Sequence, residues 1–311
     1  MQKLLSIPLL LLAPSCAFLG FEETLPEGVE CLSLDGRELQ RLEFDEIERA
    51  RLEQDLAVAR ARAEARPGVE EAAIWYGRRL GYLGRYNEAV QVYSDALGQH
   101  PTSYRLLRHR GHRYITLRRF EEAVFDLSEA SRHSRHVPDR YEEDGAPNAL
   151  GIPRSTTRSN IEYHLGLAHY LQREFDLALV AWDRCLYFSR VNDDMFVAAT
   201  YWTVLTLWRL ERHDEALVHL GEIRPQMDII ENHDYHELLL LFRGEREEAQ
   251  LLERLRGASG VGRATLGFGL GAWHLANGRE PEARALFAEV LRGTAWPAFG
   301  YIAAEVEVAE G

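Results

Sequence analysis

The sequence predicts an all-α fold, a solenoid of about six helix-turn-helix units with a capping helix at each end. Three observations carry this. An alanine followed four residues later by a large apolar side chain recurs along most of the chain. A glycine stands twelve residues before four of those alanines, and Pro67 and Pro101 close successive units 34 residues apart. Self-similarity at a fixed spacing of this size is the signature of stacked repeats.

At 311 residues, 46% hydrophobic and 27% charged, the chain is long enough for two compact domains or one extended array. A formal net charge of −13 excludes a general nucleic-acid binder, because phosphate contacts need a broad cationic surface. Any basic patch must be local. Basic charge is carried by arginine, Lys3 being the only lysine.

Residues 1–17 have the layout of a signal peptide: Lys3, an apolar run from Leu4 to Leu12, then Ala13-Pro14-Ser15-Cys16-Ala17. A permanent membrane helix needs about 20 apolar residues, and this run is shorter. Cys16 resembles the lipidated cysteine of a bacterial lipobox, although Ala13 stands where leucine is usual. Ser15-Cys16-Ala17 equally fits ordinary cleavage after Ala17, so an anchored and a free protein are both readings of this segment. Residues 18–43 read as a tether. Within it, Cys31 to Arg37 alternates around Asp35-Gly36 and predicts a small hairpin. Cys31 and Cys185 lie 154 positions apart and read as free thiols, with Cys185 a small apolar residue of a repeat. Residues 44–69 are the N-terminal capping helix, ending at Pro67 in repeat register.

The array spans residues 70–296. Its alanine and apolar pairs are Ala89 with Tyr93, Ala123 with Leu127, Ala178 with Trp182, Ala216 with Leu220 and Ala283 with Phe287. Ala249 is a weaker sixth, with Glu253 in the apolar place. Successive alanines are 34, 55, 38, 33 and 34 residues apart, so one gap holds 21 extra residues, an insertion near 134–158. The glycines are Gly77, Gly111, Gly166 and Gly271. Antiparallel helices approach closely only where side chains are small, so glycine of a first helix should face alanine of the second, with the bulky Tyr, Leu or Trp filling the space beside them. Gly84-Arg85, Arg118-Arg119, Gly244-Glu245 and Gly278-Arg279 mark the turns between helices. Val204 and Glu237 replace the glycine in the units of Ala216 and Ala249, which predicts irregular or merged units there.

From about Glu70 to Leu291 these motifs resemble the tetratricopeptide-repeat family. The best matches run from Ile74-Trp75-Tyr76-Gly77 to Pro101 and from Tyr104 to Ala130. The resemblance implies a right-handed superhelix whose first helices line a concave, partner-binding groove. Residues 297–311 would be the C-terminal capping helix, with Trp296, Phe299 and Tyr301 either buried on the last unit or available for self-association; monomer and dimer both stay open.

Carried onto this sequence, the register places Arg78, Tyr82, Arg105, Arg108, His109, His112, Asn160, Tyr163, His164, Tyr170, Tyr201 and Trp208 in the groove. Six arginines and no acid lie between Tyr104 and Arg119. Arginine forks grip carboxylates, so the groove reads as cationic and aromatic, and its ligand as an acidic peptide or a C-terminal carboxylate. Arginines paired with acids of neighbouring helices would be the plain alternative. The lysine-asparagine clamp of chaperone-binding members is not reproduced, since Ile74, Arg78, His109, Asn160 and His164 hold those places. The insertion, with Pro138, Pro147, Gly151, Pro153 and the acids Glu142-Glu143-Asp144, reads as either a lid over the groove or a tolerated edge loop.

Two glycine patterns are lookalikes. Gly257 to Thr265 resembles a phosphate loop, but Arg263 and Ala264 stand where lysine and a hydroxyl residue belong. Glycines 267, 269 and 271 fall inside a first helix, where packing explains them. His109 with His112, and His233 with His236, sit one helical turn apart, yet neither pair completes a metal motif. The sequence therefore reads as a non-catalytic scaffold or adaptor of the cell envelope, periplasmic or anchored at the outer membrane. It would bind a protein or acidic peptide, use no cofactor or nucleic acid, and meet a membrane only through an N-terminal lipid. The alternative is a metal- or small-ligand-binding protein, or a hydrolase, using groove histidines under the 134–158 loop.

Overall fold

A computed structural model describes residues 25–143, 148 and 150–309. The signal segment 1–17 with Cys16, and Asp144 and Pro147 of the insertion, lie outside them. Among the described residues are one antiparallel hairpin, β1 (Val29–Leu32) with β2 (Glu38–Gln40), and fourteen α-helices. The hairpin turns at Asp35-Gly36, where Gly36 has a φ of +84°, the left-handed conformation that glycine reaches without strain.

Helix α1 (Glu46–Ala65) is capped by Asp45, whose carboxylate accepts from Glu48 N at 2.8 Å. It precedes six antiparallel pairs, α2 (Glu70–Tyr82) with α3 (Tyr86–Gln99), α4 (Tyr104–Thr116) with α5 (Phe120–Ser134), and α6 (Thr157–Leu171) with α7 (Phe175–Ser189). The pairs continue as α8 (Asp193–Arg209) with α9 (His213–Gly221), α10 (His233–Phe242) with α11 (Glu248–Gly257), and α12 (Gly260–Ala276) with α13 (Glu280–Val290). Helix α14 (Phe299–Ala309) closes the chain. The fold is an all-α solenoid of helix-turn-helix units.

Four of the six units are built around one close approach. A Cβ on Gly77 would stand 2.3 Å from Tyr93, on Gly111 2.7 Å from Leu127, on Gly166 2.7 Å from Trp182, and on Gly271 2.4 Å from Phe287. Each of these four glycines faces the large residue sixteen positions on, not the alanine twelve on as expected, because the long side chain reaches across to the first helix where the alanine methyl does not. Ala89, Ala123, Ala178 and Ala283 are fully buried beside these contacts, and Ala216 is fully buried in a unit without one. The units that lack the glycine remain separate pairs with short second helices of 9 and 10 residues. Ala249 departs from the expected register: it is exposed, and Leu251 and Leu255 supply the buried face of α11.

The turn inside every unit places one residue in the left-handed region: Gly84, Arg118, Arg173, Glu211, Gly244 and Gly278. Three of the six are not glycine, and of these Arg118 has an evident reason. Its guanidinium is buried against Glu305 at 2.8 Å and donates to the Trp296 carbonyl at 3.0 Å.

Those contacts show where the C-terminal helix goes. α14 packs on the last pair, as a cap would, and then crosses the hollow side of the array. Phe299 meets His112 of α4 and His164 of α6 with ring centroids 5.5 and 5.6 Å apart, and Glu307 pairs with Arg209 at the end of α8. Gly300 lies so close to α12 that a Cβ would stand 2.4 Å from the Ala264 carbonyl oxygen. Tyr301, Ile302, Ala303, Ala304 and Val306 are all buried, each larger side chain contributing about 2 kcal/mol. Trp296 is buried too: its indole donates to Gln40 O at 2.8 Å and meets Tyr86 edge-on, joining the C-terminal segment to the N-terminal hairpin. Capping is therefore only part of the role expected of residues 297–311.

Gly166→Ala should lower stability by roughly 1–2 kcal/mol, because the rigid Trp182 ring must move, whereas Gly98→Ala, with nothing within 4 Å, should raise it by about 0.5 kcal/mol. Denaturant midpoints of the two variants check this pair. At the turns, Glu211→Gly relieves left-handed strain and should be neutral or stabilising. Arg118→Gly relieves the same strain but strands Glu305, and should lose about 3 kcal/mol in the same measurement.

Candidate functional site

The insertion between α5 and α6 is tied down by its own stem. Glu142 N donates to Ser155 O at 3.0 Å and Thr157 N to Arg140 O at 2.9 Å, beside a capping box between Thr156 and Ser159 that starts α6. This short ladder carries Glu142 over the first turn of α6. One oxygen of Glu142 there is ion-paired with Arg108 Nη2 at 2.9 Å and accepts from Asn160 Nδ2 at 3.0 Å, while Arg78 donates to the Glu143 carbonyl at 2.8 Å. Farther along, Arg154 pairs with Asp194 at 2.8 Å, and the same carboxylate accepts backbone N–H groups of Ile230, Glu231 and Asn232. The insertion thus spans α2, α4, α6 and α8.

Beneath it lies a cavity of about 530 Å³ on the concave side, bounded by α4, α6, α8, α10, α12 and the start of α14. Five of the expected groove residues line it: Arg108, His112, Asn160, Tyr163 and His164. The His112 and His164 rings stand 4.2 Å apart, and Tyr163 accepts from the Trp202 indole at 2.7 Å. Burial, reinforced by the charge of Arg108 and Arg113, holds His109, His112 and His164 well below the ordinary value of 6.5, so all three are neutral at pH 7.

The other expected groove residues are elsewhere. Arg78 and Tyr82 sit together on α2, the guanidinium 3.1 Å from the phenol oxygen and stacked over Trp75. Arg105 pairs with Glu71 of the preceding unit, away from the cavity. His109 is buried against Tyr93 and bonded to Arg108. Tyr170 and Trp208 line a second cavity, of about 270 Å³, at the opposite ends of their helices. Tyr201 is fully buried, packed on Tyr235 and Phe242, and cannot reach a ligand. That position points into the core because α8 is covered on nearly every face, by α7, α9, α10 and α12.

Charge also differs from the expectation. Of the six arginines between Tyr104 and Arg119, five have carboxylate partners: Glu71, Glu142, Asp126, Glu305 and Glu122. Arg113 has no ion pair among the described residues and lies over Tyr86. The groove is neutralised from within the chain. Sequence reasoning missed Glu142 as the partner of Arg108, and missed Met195, Tyr235, Glu231 and Asp234 as cavity walls. An acidic run in an insertion opposite an arginine run was the one readable signal.

His233 and His236 do not form a pair of ligands. His233 is exposed, while His236 is buried with Nε2 bonded to the Arg224 carbonyl at 2.8 Å. Residues 257–265 are the end of α11, a turn and the start of α12, and Gly267 and Gly269 pack on Val290 and Leu238. Cys31 and Cys185 are free and buried, their thiols pushed up to about 11 and about 12 by desolvation.

No family model and no curated protein matches the chain. Solved structures similar to it include YrrB, titled a TPR protein with an unusual peptide-binding site, at 14% identity. That alignment covers 76% of this chain and 92% of the other, with a TM-score of 0.44. MamA from Desulfovibrio magneticus RS-1 is 16% identical over 57% of this chain and 85% of its own, with a TM-score of 0.43. MamA of AMB-1 is 15% identical over 56% and 89%, with a TM-score of 0.42.

The depressed histidines make stability depend on pH. Their folded values lie below 6.5, so the unfolded chain takes up protons first; their contribution is complete above that pH and is lost as the pH falls below it. Each histidine should add a slope of up to about 1.4 kcal/mol per pH unit in that range. Buried Glu162 and Glu305, with raised values, act in the opposite sense, so the difference between wild type and His112→Gln is the reading. Urea midpoints between pH 5 and 7 should fall less steeply in the variant.

Proposed function

We propose that this protein is a non-catalytic interaction scaffold of the cell envelope that holds an acidic, extended segment of a partner protein across the arginine end of its concave face. One observation carries the reading: the chain's own Glu142-Glu143 segment already lies there, gripped through its side chain by Arg108 and Asn160 and through its backbone by Arg78. A partner carboxylate replacing Glu142 leaves the net charge at Arg108 unchanged, so the exchange carries little electrostatic penalty. The insertion would then act as the lid that yields. Trp75 and Tyr82, flanking Arg78, add aromatic surface of the kind that supplies contact energy in interfaces.

The two thiols, buried and poorly ionised, offer no cysteine nucleophile. The envelope location rests on the layout of residues 1–17, with the mature chain either lipidated at Cys16 or cleaved after Ala17. The mass of the mature N-terminal peptide distinguishes those two.

The test is crosslinking capture from detergent-solubilised envelopes by wild type, Arg78→Glu and Glu142→Gln, with Arg105→Glu as a control outside the cavity. Captured proteins should be lost with Arg78→Glu, enriched with Glu142→Gln, and unchanged in the control. The same proteins in equal amounts from all four would refute the assignment to this face.

A further inference from the structure

We propose that the 530 Å³ cavity under the insertion is a binding site for a small zwitterion, of the size and kind of an aromatic α-amino acid. This goes beyond the scaffold reading, since it requires no protein partner. The volume falls within the range of about 300–1,000 Å³ usual for small-molecule sites. Helix α14 determines that the occupant is compact: Phe299, set against His112, Tyr163 and His164, blocks the concave face, and a chain cannot run on through it.

One end of the cavity is made for a carboxylate. Arg108 is 8% exposed, its Nη1 meets His109 and its Nη2 meets Glu142, yet its Nε has no partner. Glu142 spends a single oxygen on both Arg108 and Asn160, so it complements the guanidinium with one contact where a fork offers two. A carboxylate arriving edge-on satisfies Nε and Nη2 together, and Glu142, 13% exposed at its side chain on a surface insertion, is the group it displaces.

The other end is acidic. Asp234 receives Arg254 on Oδ1 at 2.8 Å, and its Oδ2 stands beside Gly262, where a Cβ would lie 3.0 Å away. Glu231 is exposed on the same rim and accepts from Asn148. With Asp234 shared with Arg254, Glu231 leaves one net negative charge at this rim, which favours an ammonium there over a second carboxylate. Between the two ends the walls carry no charge: His112 and His164 are neutral rings, and Tyr163, Tyr235, Phe299 and Met195 supply apolar and aromatic surface.

Three probes separate the parts of this proposal: phenylalanine, 3-phenylpropionate without the ammonium, and 2-phenylethylamine without the carboxylate. Each is titrated calorimetrically into the mature chain. Phenylalanine should bind at one site per chain, roughly tenfold more tightly than either relative, the effect of one charge-assisted hydrogen bond. Glu142→Gln, which removes the competing carboxylate, should tighten phenylalanine several-fold, and Asp234→Asn should weaken it toward the level of phenylpropionate. Equal affinities for phenylalanine and phenylpropionate would overturn the zwitterion assignment. No saturable binding of any probe up to about 10 mM, in wild type and in Glu142→Gln alike, would overturn the site itself.

Discussion

A solenoid of helix pairs buries the small-residue contacts within each pair but leaves the inner faces of its first helices turned toward a hollow, and in this protein α14 fills that hollow. From one short helix, Phe299 reaches α4 and α6, Glu305 the turn after α4, Gly300 the start of α12 and Glu307 the end of α8. The array is therefore held from inside as well as between neighbours, unlike a purely nearest-neighbour stack. The buried Arg118–Glu305 pair fixes where α14 lies, because an unpartnered charge in that interior would cost several kcal/mol. It also accounts for an arginine in a left-handed turn position that glycine holds in three other units.

Filling the hollow shapes the site. An open groove would admit a long peptide or helix, but here the passage ends at Phe299, leaving a cavity under the insertion. The acidic insertion covers the arginine end while Phe299 of α14 closes the side between α4 and α6. Five of the six arginines that made the local sequence look cationic are matched by carboxylates, and the histidines between them are neutral by burial. What remains distinctive is the incomplete pairing at Arg108, where a buried fork meets a single oxygen.

The pairing of helices was legible because it rests on a local requirement repeated at one register: glycine twelve residues before an alanine, with a large apolar residue four further on. That glycine meets the large residue itself, Gly77 against Tyr93 and Gly166 against Trp182, was not legible, because the spacing pointed to the alanine four residues earlier. Where the register lacks its glycine, as with Glu237 before Glu253, spacing misled, and Ala249 is exposed while Leu251 and Leu255 are buried. The path of α14 was not legible, since an apolar helix after the last repeat has the same pattern whether it caps an end or crosses the hollow. Five expected site residues share one cavity because they fall on the inner faces of α4 and α6. Tyr201 failed for a non-local reason, as α10 and α12 cover a face of α8 that a regular array would leave open.

Hydrogen exchange of the full mature chain, followed peptide by peptide, tests most directly whether α14 is part of the interior. If it is, the amides of residues 301–306 exchange as slowly as those of residues 264–271 in α12, through the same cooperative opening. Exchange of residues 301–306 at the rate of a frayed terminus, with α12 still protected, would contradict the account: the hollow would then be open, and the cavity without its Phe299 wall.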